Sequence, residues 1–299
     1  MAGAGLRDIK RRIRSVKSTE QITRAMKMVA AAKLRRAQEA ITSARPWAKR
    51  MDEIARGLAL RTHPESHPLL TPKEDGPVLL VVVGADRGLC GAFNTNIHRA
   101  VLTHLANFNG GEPGLGQLLI IGKKPFDFFR HRPFPIVSHY LGLFAKLSFD
   151  DARSIGDEVI ESYAEGDVRS VRLVYNEFRS ALSQRLVVKE LLPVRYNEED
   201  EEGNEPEAPA EHGGDYLYEP DSATLLDAAL KRHVYTQIWR ALLESEASEH
   251  GARMTAMDAA TENAVEMVAH LTLQYNRVRQ AGITTEIIEV VCGADALRG

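Results

Sequence analysis

The residue types best suited to chemistry lie in the segment Gly84-Ala-Asp-Arg-Gly88-Leu-Cys-Gly91, a glycine-rich turn after the apolar run Val78 to Val83. A strand, a glycine turn and a helix start make the usual phosphate cradle, because free backbone N–H groups and the helix dipole favour an anion. The glycine spacing fits neither G-x-G-x-x-G nor G-x-x-x-x-G-K-[ST], and no Lys-Ser/Thr pair follows to hold phosphate and metal. A tight backbone turn is the expectation. The ten histidines are scattered, with no His-Glu-x-x-His, Ser-His-Asp or paired-carboxylate pattern among them. His250 and His270 fall on a long helix as surface or seam residues. Cys90 and Cys292 show no Cys-x-x-Cys spacing and read as plain reduced thiols. No catalytic set, metal site or cofactor is expected, which favours a structural or mechanical role.

The charge is distributed unevenly. The chain has 299 residues, 44% hydrophobic and 26% charged, with a net charge of -3, as in a soluble globular protein. Residues 1–50 nevertheless hold fourteen Lys or Arg against Asp8, Glu20 and Glu39. A solvated helix face, a nucleic-acid surface and a cationic shaft inside an acidic protein collar would each account for such an excess. Nucleic acid is disfavoured, because no aromatic precedes Trp47 and the charges surround the helix instead of forming a stripe. No apolar run approaches the roughly 20 residues of a membrane span. The basic N-terminus leads into an amphipathic pattern, so no signal peptide is expected.

The elements that must carry these residues are two long helices around a small layered domain. Leu6 to Ala44 repeats apolar positions in triplets, Ile9-Ile13-Val16, Ile22-Met26-Val29 and Leu34-Ala37-Ile41, with the face drifting between them. Pro46 should bend or restart the helix before Trp47, Met51, Ile54 and Leu58 resume the spacing. The stretch after Asp221 contains no proline, and Met254, Met257, Thr261, Ala264, Val268, Leu271, Tyr275 and Val278 follow each other at steps of three and four. One helix from Ser222 to Leu297 would be roughly 110 Å long. Alanines 30–32 on one helix and Ala256, Ala259 and Ala260 on the other allow a close antiparallel approach.

Between the helices, prolines 64, 68, 72 and 77 break the chain. Strands are expected at 78–83, 118–121, 136–139, 171–175 and 186–192, with helices at 93–108, 125–130 and 149–165. The fold class is therefore α plus α/β: a long antiparallel coiled coil of the N- and C-terminal helices with a central Rossmann-like α/β domain and a mostly parallel sheet. The expected divisions are 1–62 for the first shaft helix, 63–220 for the central domain (77–196 its α/β part, 197–215 an acidic surface loop) and 221–299 for the second shaft helix. The C-terminal helix outlasts its partner. Ile287, Ile288, Val290, Val291, Ala294 and Leu297 are then left apolar with nothing internal to cover them, which predicts an external sleeve.

Several stretches resemble the gamma subunit of F-type ATP synthase along nearly the whole chain. They are Ile22-Thr-Arg-Ala-Met-Lys-Met-Val-Ala-Ala-Ala-Lys33, Asp86-Arg-Gly-Leu-Cys-Gly91, Tyr216-Leu-Tyr-Glu-Pro-Asp221, Ala247-Ser-Glu-His-Gly-Ala-Arg-Met-Thr-Ala-Met257 and Arg279-Gln-Ala-Gly-Ile-Thr-Thr285. The resemblance implies a rotor: a coiled coil inside a hexamer of alpha and beta subunits, with an epsilon subunit and a ring of c subunits as further partners. It implies no cofactor, no nucleic acid, and membrane association only through the complex, at the cytoplasmic face of a bacterial plasma membrane. Carried over by position, Arg24, Met26, Lys27, Arg253, Arg279 and Gln280 would contact beta. Tyr216 and Glu219 would form the foot on the c-ring, and Ile287, Ile288, Val291 and Leu297 would run in the hexamer sleeve. The redox cysteine pair of the plant form is absent, so thiol switching is not implied. Gly251 and Gly282 interrupt the long helix and could soften it. A soluble Rossmann-like nucleotide-binding protein with helical dimerisation arms is the alternative.

Overall fold

A computed structural model of the chain describes residues 2–59, 67–109, 116–195 and 222–296. The first element is helix α1 (Ala2–Ala59) and the last is helix α5 (Ser222–Ala296). Between them come β1 (Val78–Val83), α2 (Phe93–Asn109), β2 (Gly116–Ile121), α3 (Lys123–Phe129), β3 (Ile136–Tyr140), α4 (Phe149–Ala164), β4 (Ser170–Phe178) and β5 (Gln184–Leu192). The strands form one sheet in the order β3-β2-β1-β4-β5. All pairings are parallel except β4 with β5, which is antiparallel. The expected elements are all present.

The chain divides into two compact units, one of residues 1–32 with 253–299 and one of residues 33–252. In the larger unit β1 is buried on both faces, which is why its sequence runs apolar without alternation. Leu79, Val81 and Val83 join a core with Ile155, Val159 and Tyr163 of α4 and with Leu230, Val234 and Ile238 of α5. Val78, Leu80 and Val82 join the opposite core with Ile97 and Val101 of α2 and Phe129 of α3. Ser148 starts α4 with a reciprocal cap, its hydroxyl facing the Asp151 N–H while the Asp151 carboxylate accepts from the Ser148 N–H.

The helix restart allowed for at Pro46 does not occur. Helix α1 passes through Pro46 without a break. Proline removes the hydrogen bond to the Thr42 carbonyl, but Thr42 and Pro46 are both exposed, so water satisfies that carbonyl at little cost.

The smaller unit is an antiparallel helix pair. The Thr261 and Thr23 hydroxyls meet at 2.8 Å, and the Lys27 ammonium meets the Asp258 carboxylate at 2.5 Å. Continuing that register by whole turns sets Val16 opposite Val268, Ile13 opposite Leu271 and Ile9 opposite Tyr275. All eight expected seam residues of α5 are buried or half-buried, and most of their neighbours are exposed. The α1 side departs from expectation in its middle. Ile22 and Val29 face solvent, and the seam instead runs through Glu20, Thr23, Lys27 and Ala30. The pattern of threes and fours is thus unbroken along α1, but polar residues occupy part of it.

Candidate functional site

The glycine turn after β1 is closed from within. Asp86 presents one carboxylate oxygen to the Lys123 N–H at the start of α3 and to the Gly142 N–H, each at 3.0 Å. A carboxylate of the chain therefore satisfies the first backbone N–H of α3 and that of Gly142, tying the turn to two later segments. The Ala85 N–H is taken by the Asn94 side chain at 3.0 Å, and the Gly84 N–H by the Ile121 carbonyl at 2.9 Å. Gly122 adopts φ 101, and a Cβ there would overlap the Gly84 carbonyl. The ends of β1 and β2 are thus held in close backbone contact. Arg87 and Leu89 are exposed on the turn, Leu89 at φ 62 and 65% exposed.

The concave groove between α4 and the start of α5 is similarly self-satisfied. Asp227 is shared by His67 at 3.3 Å and Lys231 at 2.9 Å, and the Tyr235 hydroxyl donates to Asp157. Burial and the neighbouring Asp157 carboxylate push the Tyr235 hydroxyl up to about 12. No cluster of His, Cys, Asp and Glu suited to a metal ion occurs among the described residues, and no described helix is long and apolar enough to cross a membrane.

What the structure offers for binding is the outside of the helix pair. Arg7, Lys10, Arg14 and Lys17 are exposed and have no ion-pair partner among the described residues, while Arg11 and Arg12 share Asp8. Arg24 is exposed and pairs with Glu20 at 2.9 Å. Met26 and Lys27 are half-buried, and Lys27 is already engaged by Asp258. Arg253 is half-buried, whereas Arg279 and Gln280 are exposed. Beyond Gly282 the register leaves α5 no α1 residue to pair with. Ile283, Ile287, Ile288, Val290 and Val291 are 48 to 71% exposed. That much apolar surface on one helix end is costly in water and marks a contact surface. Tyr216, Glu219, Leu297 and the acidic stretch 197–215 lie outside the described residues.

Apolar periodicity overlooked two residues that the structure places in cross-helix contacts, Thr23 against Thr261 and Asp258 against Lys27. The signal was present: from Val16, steps of four, three, four and three lead through Glu20, Thr23 and Lys27 to Ala30, whatever their polarity.

Comparison with known proteins agrees with this architecture. The family model described as ATP synthase matches residues 5–297. The ATP synthase gamma chain of Anaeromyxobacter dehalogenans is 49% identical over 296 residues, covering 98% of this chain and 99% of its own. That of Prosthecochloris aestuarii is 45% identical over 301 residues, covering 99% of each. A central stalk and c-ring structure of the Tetrahymena thermophila mitochondrial ATP synthase aligns with a TM-score of 0.59 and 27% identity, over 80% of this chain and 99% of that one. A Euglena gracilis mitochondrial ATP synthase structure aligns at 0.68 and 21% identity over 99% of this chain and 95% of that one, which speaks for the fold alone. With end-to-end matches at such identity, the chain belongs to the ATP synthase gamma-chain family.

Proposed function

We propose that the chain is the central rotor stalk of an F-type ATP synthase. It couples proton-driven rotation of a c-ring to conformational change in the catalytic beta subunits, for synthesis and, in reverse, for hydrolysis. It contributes asymmetry and torque and no catalytic residue. A shaft with one lateral shape favours only one of three otherwise equivalent beta conformations at a time, so turning it shifts populations among them through differential contacts. The observation that carries this reading is the likeness to gamma chains over 98 to 99% of the sequence.

The partners are the alpha and beta subunits of the hexamer, the epsilon subunit and the c-ring. Membrane association is indirect, at the cytoplasmic face of a bacterial plasma membrane. Residues 1–62 and 221–299 serve as the shaft and 63–220 as the base domain. Arg24, Met26, Lys27, Arg253, Arg279 and Gln280 bear on beta, and Tyr216 with Glu219 on the c-ring. Ile287, Ile288, Val291 and Leu297 run in the sleeve. The exposed cations of α1 support an acidic counter-surface. Contact there is transient, since a tightly buried ion pair at each stop would resist the next step. The nucleotide-binding alternative lacks both the G-x-G-x-x-G and the G-x-x-x-x-G-K-[ST] spacing in its turn.

Co-expression of the chain with alpha and beta subunits tests the reading. One copy bound per six-membered ring, with ATPase activity retained when the Asp86 turn is altered, is the expected result. Saturable ATP binding by the isolated chain together with failure to bind alpha or beta would overturn it.

A further inference from the structure

Between Glu20 and Ala30, α1 carries two competing faces. One is apolar: Ile22 and Val29, with Met26 beside them, yet Ile22 is 56% and Val29 58% exposed. The other holds Thr23, Lys27 and Ala30, and here Thr23 and Ala30 are 8% and 2% exposed. Successive residues are about 100° apart on a helix, so these faces differ by about a third of a turn. Hydrophobic burial alone would turn the apolar face inward. A helix that does the opposite violates its own local preference, and such conflicts concentrate where another requirement is imposed.

Two contacts across the pair oppose the roll. The Thr261 and Thr23 hydroxyls meet at 2.8 Å, and each also reaches a carbonyl of its own helix, Thr261 that of Met257 at 2.7 Å and Thr23 that of Glu20 at 3.1 Å. Asp258 holds Lys27 at 2.5 Å. A roll of a third of a turn would swing both α1 side chains away from α5 and break both contacts together.

We propose that Thr23 and Lys27, held by Thr261 and Asp258, are positioning residues that set the rotational phase of α1 and keep Ile22, Met28 and Val29 turned outward. Use of that outward stripe to bear on the inner wall of a subunit ring rests on the function proposed above. The phase lock itself does not.

The test uses the full-length chain carrying Cys292→Ser, so that buried Cys90 is the only native thiol left, with Ala25→Cys as reporter on the exposed apolar face. Maleimide labelling of residue 25 is fast in the observed phase. Adding Thr23→Ala with Lys27→Ala slows it about fivefold or more as the apolar face turns in. Thr261→Ala with Asp258→Ala breaks the same contacts from α5 and gives the same protection, while the swapped pair Lys27→Asp with Asp258→Lys restores fast labelling. Unchanged labelling in both double-alanine variants, with helix content retained, would overturn the proposal. Because the readout needs no partner subunit, it stands or falls separately from rotor function.

Discussion

The Thr261 and Thr23 hydroxyls meet across the helix pair, and the residue next to Thr23 in sequence, Ile22, faces solvent. A polar residue is thus buried where an apolar one was at hand. Removing one hydroxyl leaves the other without its cross-helix partner, whereas removing both leaves an apolar contact of nearly the same shape. We expect Thr261→Val to cost roughly 0.5–1.5 kcal/mol and the double variant Thr23→Val/Thr261→Val to recover most of that. Urea unfolding of the four chains measures the coupling. Strict additivity of the two single effects would contradict it.

Asp86 makes the second prediction. Its carboxylate satisfies two backbone N–H groups that nothing else in the turn reaches. Asp86→Ala should lower the stability of the α/β unit by roughly 1–3 kcal/mol. Asp86→Asn, which keeps one acceptor oxygen, should lose less. Thermal melts that place the two variants together, or Asn below Ala, would count against this account of the turn.

His98 gives the unit a defined acid sensitivity. Its ring stacks on Phe128 at 4.0 Å, its Nε2 is buried without a partner among the described residues, and the Arg132 guanidinium lies over the far side of Phe128. Burial first, and the Arg132 charge second, lower the imidazole to about 4 from its usual 6.5. A depressed folded value means that the contribution is fully present above pH 6.5 and is lost as pH falls towards 4, worth up to roughly 2–3 kcal/mol. His98→Phe should remove that part of the acid dependence. Parallel stability curves for variant and parent between pH 7 and 4.5 would contradict it.

Glu244 acts with the opposite sign. It is 4% exposed, and burial raises its carboxyl above the usual range against the attraction of Arg240, which donates to it at 2.8 Å. Glu177, also buried, adds repulsion. A raised folded value gives a contribution that is complete below the unfolded carboxylate range and is lost as pH rises through the folded value. Glu244→Gln should therefore be no less stable than the parent at pH 8 and show no gain at pH 4.5. A loss above about 1 kcal/mol at pH 8 would mean that the ion pair with Arg240 outweighs the cost of burial.

The sheet was legible because its signals are local and redundant: the unbroken run at Val78–Val83 and the regular alternation of strand and helix need no knowledge of partners. The α5 seam was legible for the same reason. The α1 seam was misplaced at Ile22 and Val29 because hydrophobicity ranks those residues above Thr23 and Lys27, and only the facing Thr261 and Asp258 reverse the ranking. No restart occurs at Pro46, since an exposed proline leaves its orphaned carbonyl to water. Asp86 could be quoted as part of a motif, but its hydrogen bonds reach residues 37 and 56 positions away, which no window on the sequence connects.

The tip of α5 makes the last prediction. Deleting residues 287–299 removes Ile287, Ile288, Val290 and Val291, which are exposed and make no part of either core. The isolated chain should keep its stability within about 0.5 kcal/mol, as for surface changes generally. The assembled complex, by contrast, should lose yield and heat resistance while retaining torque. Normal assembly of the truncated form would remove the sleeve from the account.

The most direct measurement is a single-particle image of the chain co-assembled with its alpha and beta subunits. The account predicts one copy threading a six-membered ring, with α5 beyond Gly282 enclosed by the ring and the α1 cations facing acidic side chains. A chain bound outside the ring, or two copies paired through their helices with no ring, would contradict it.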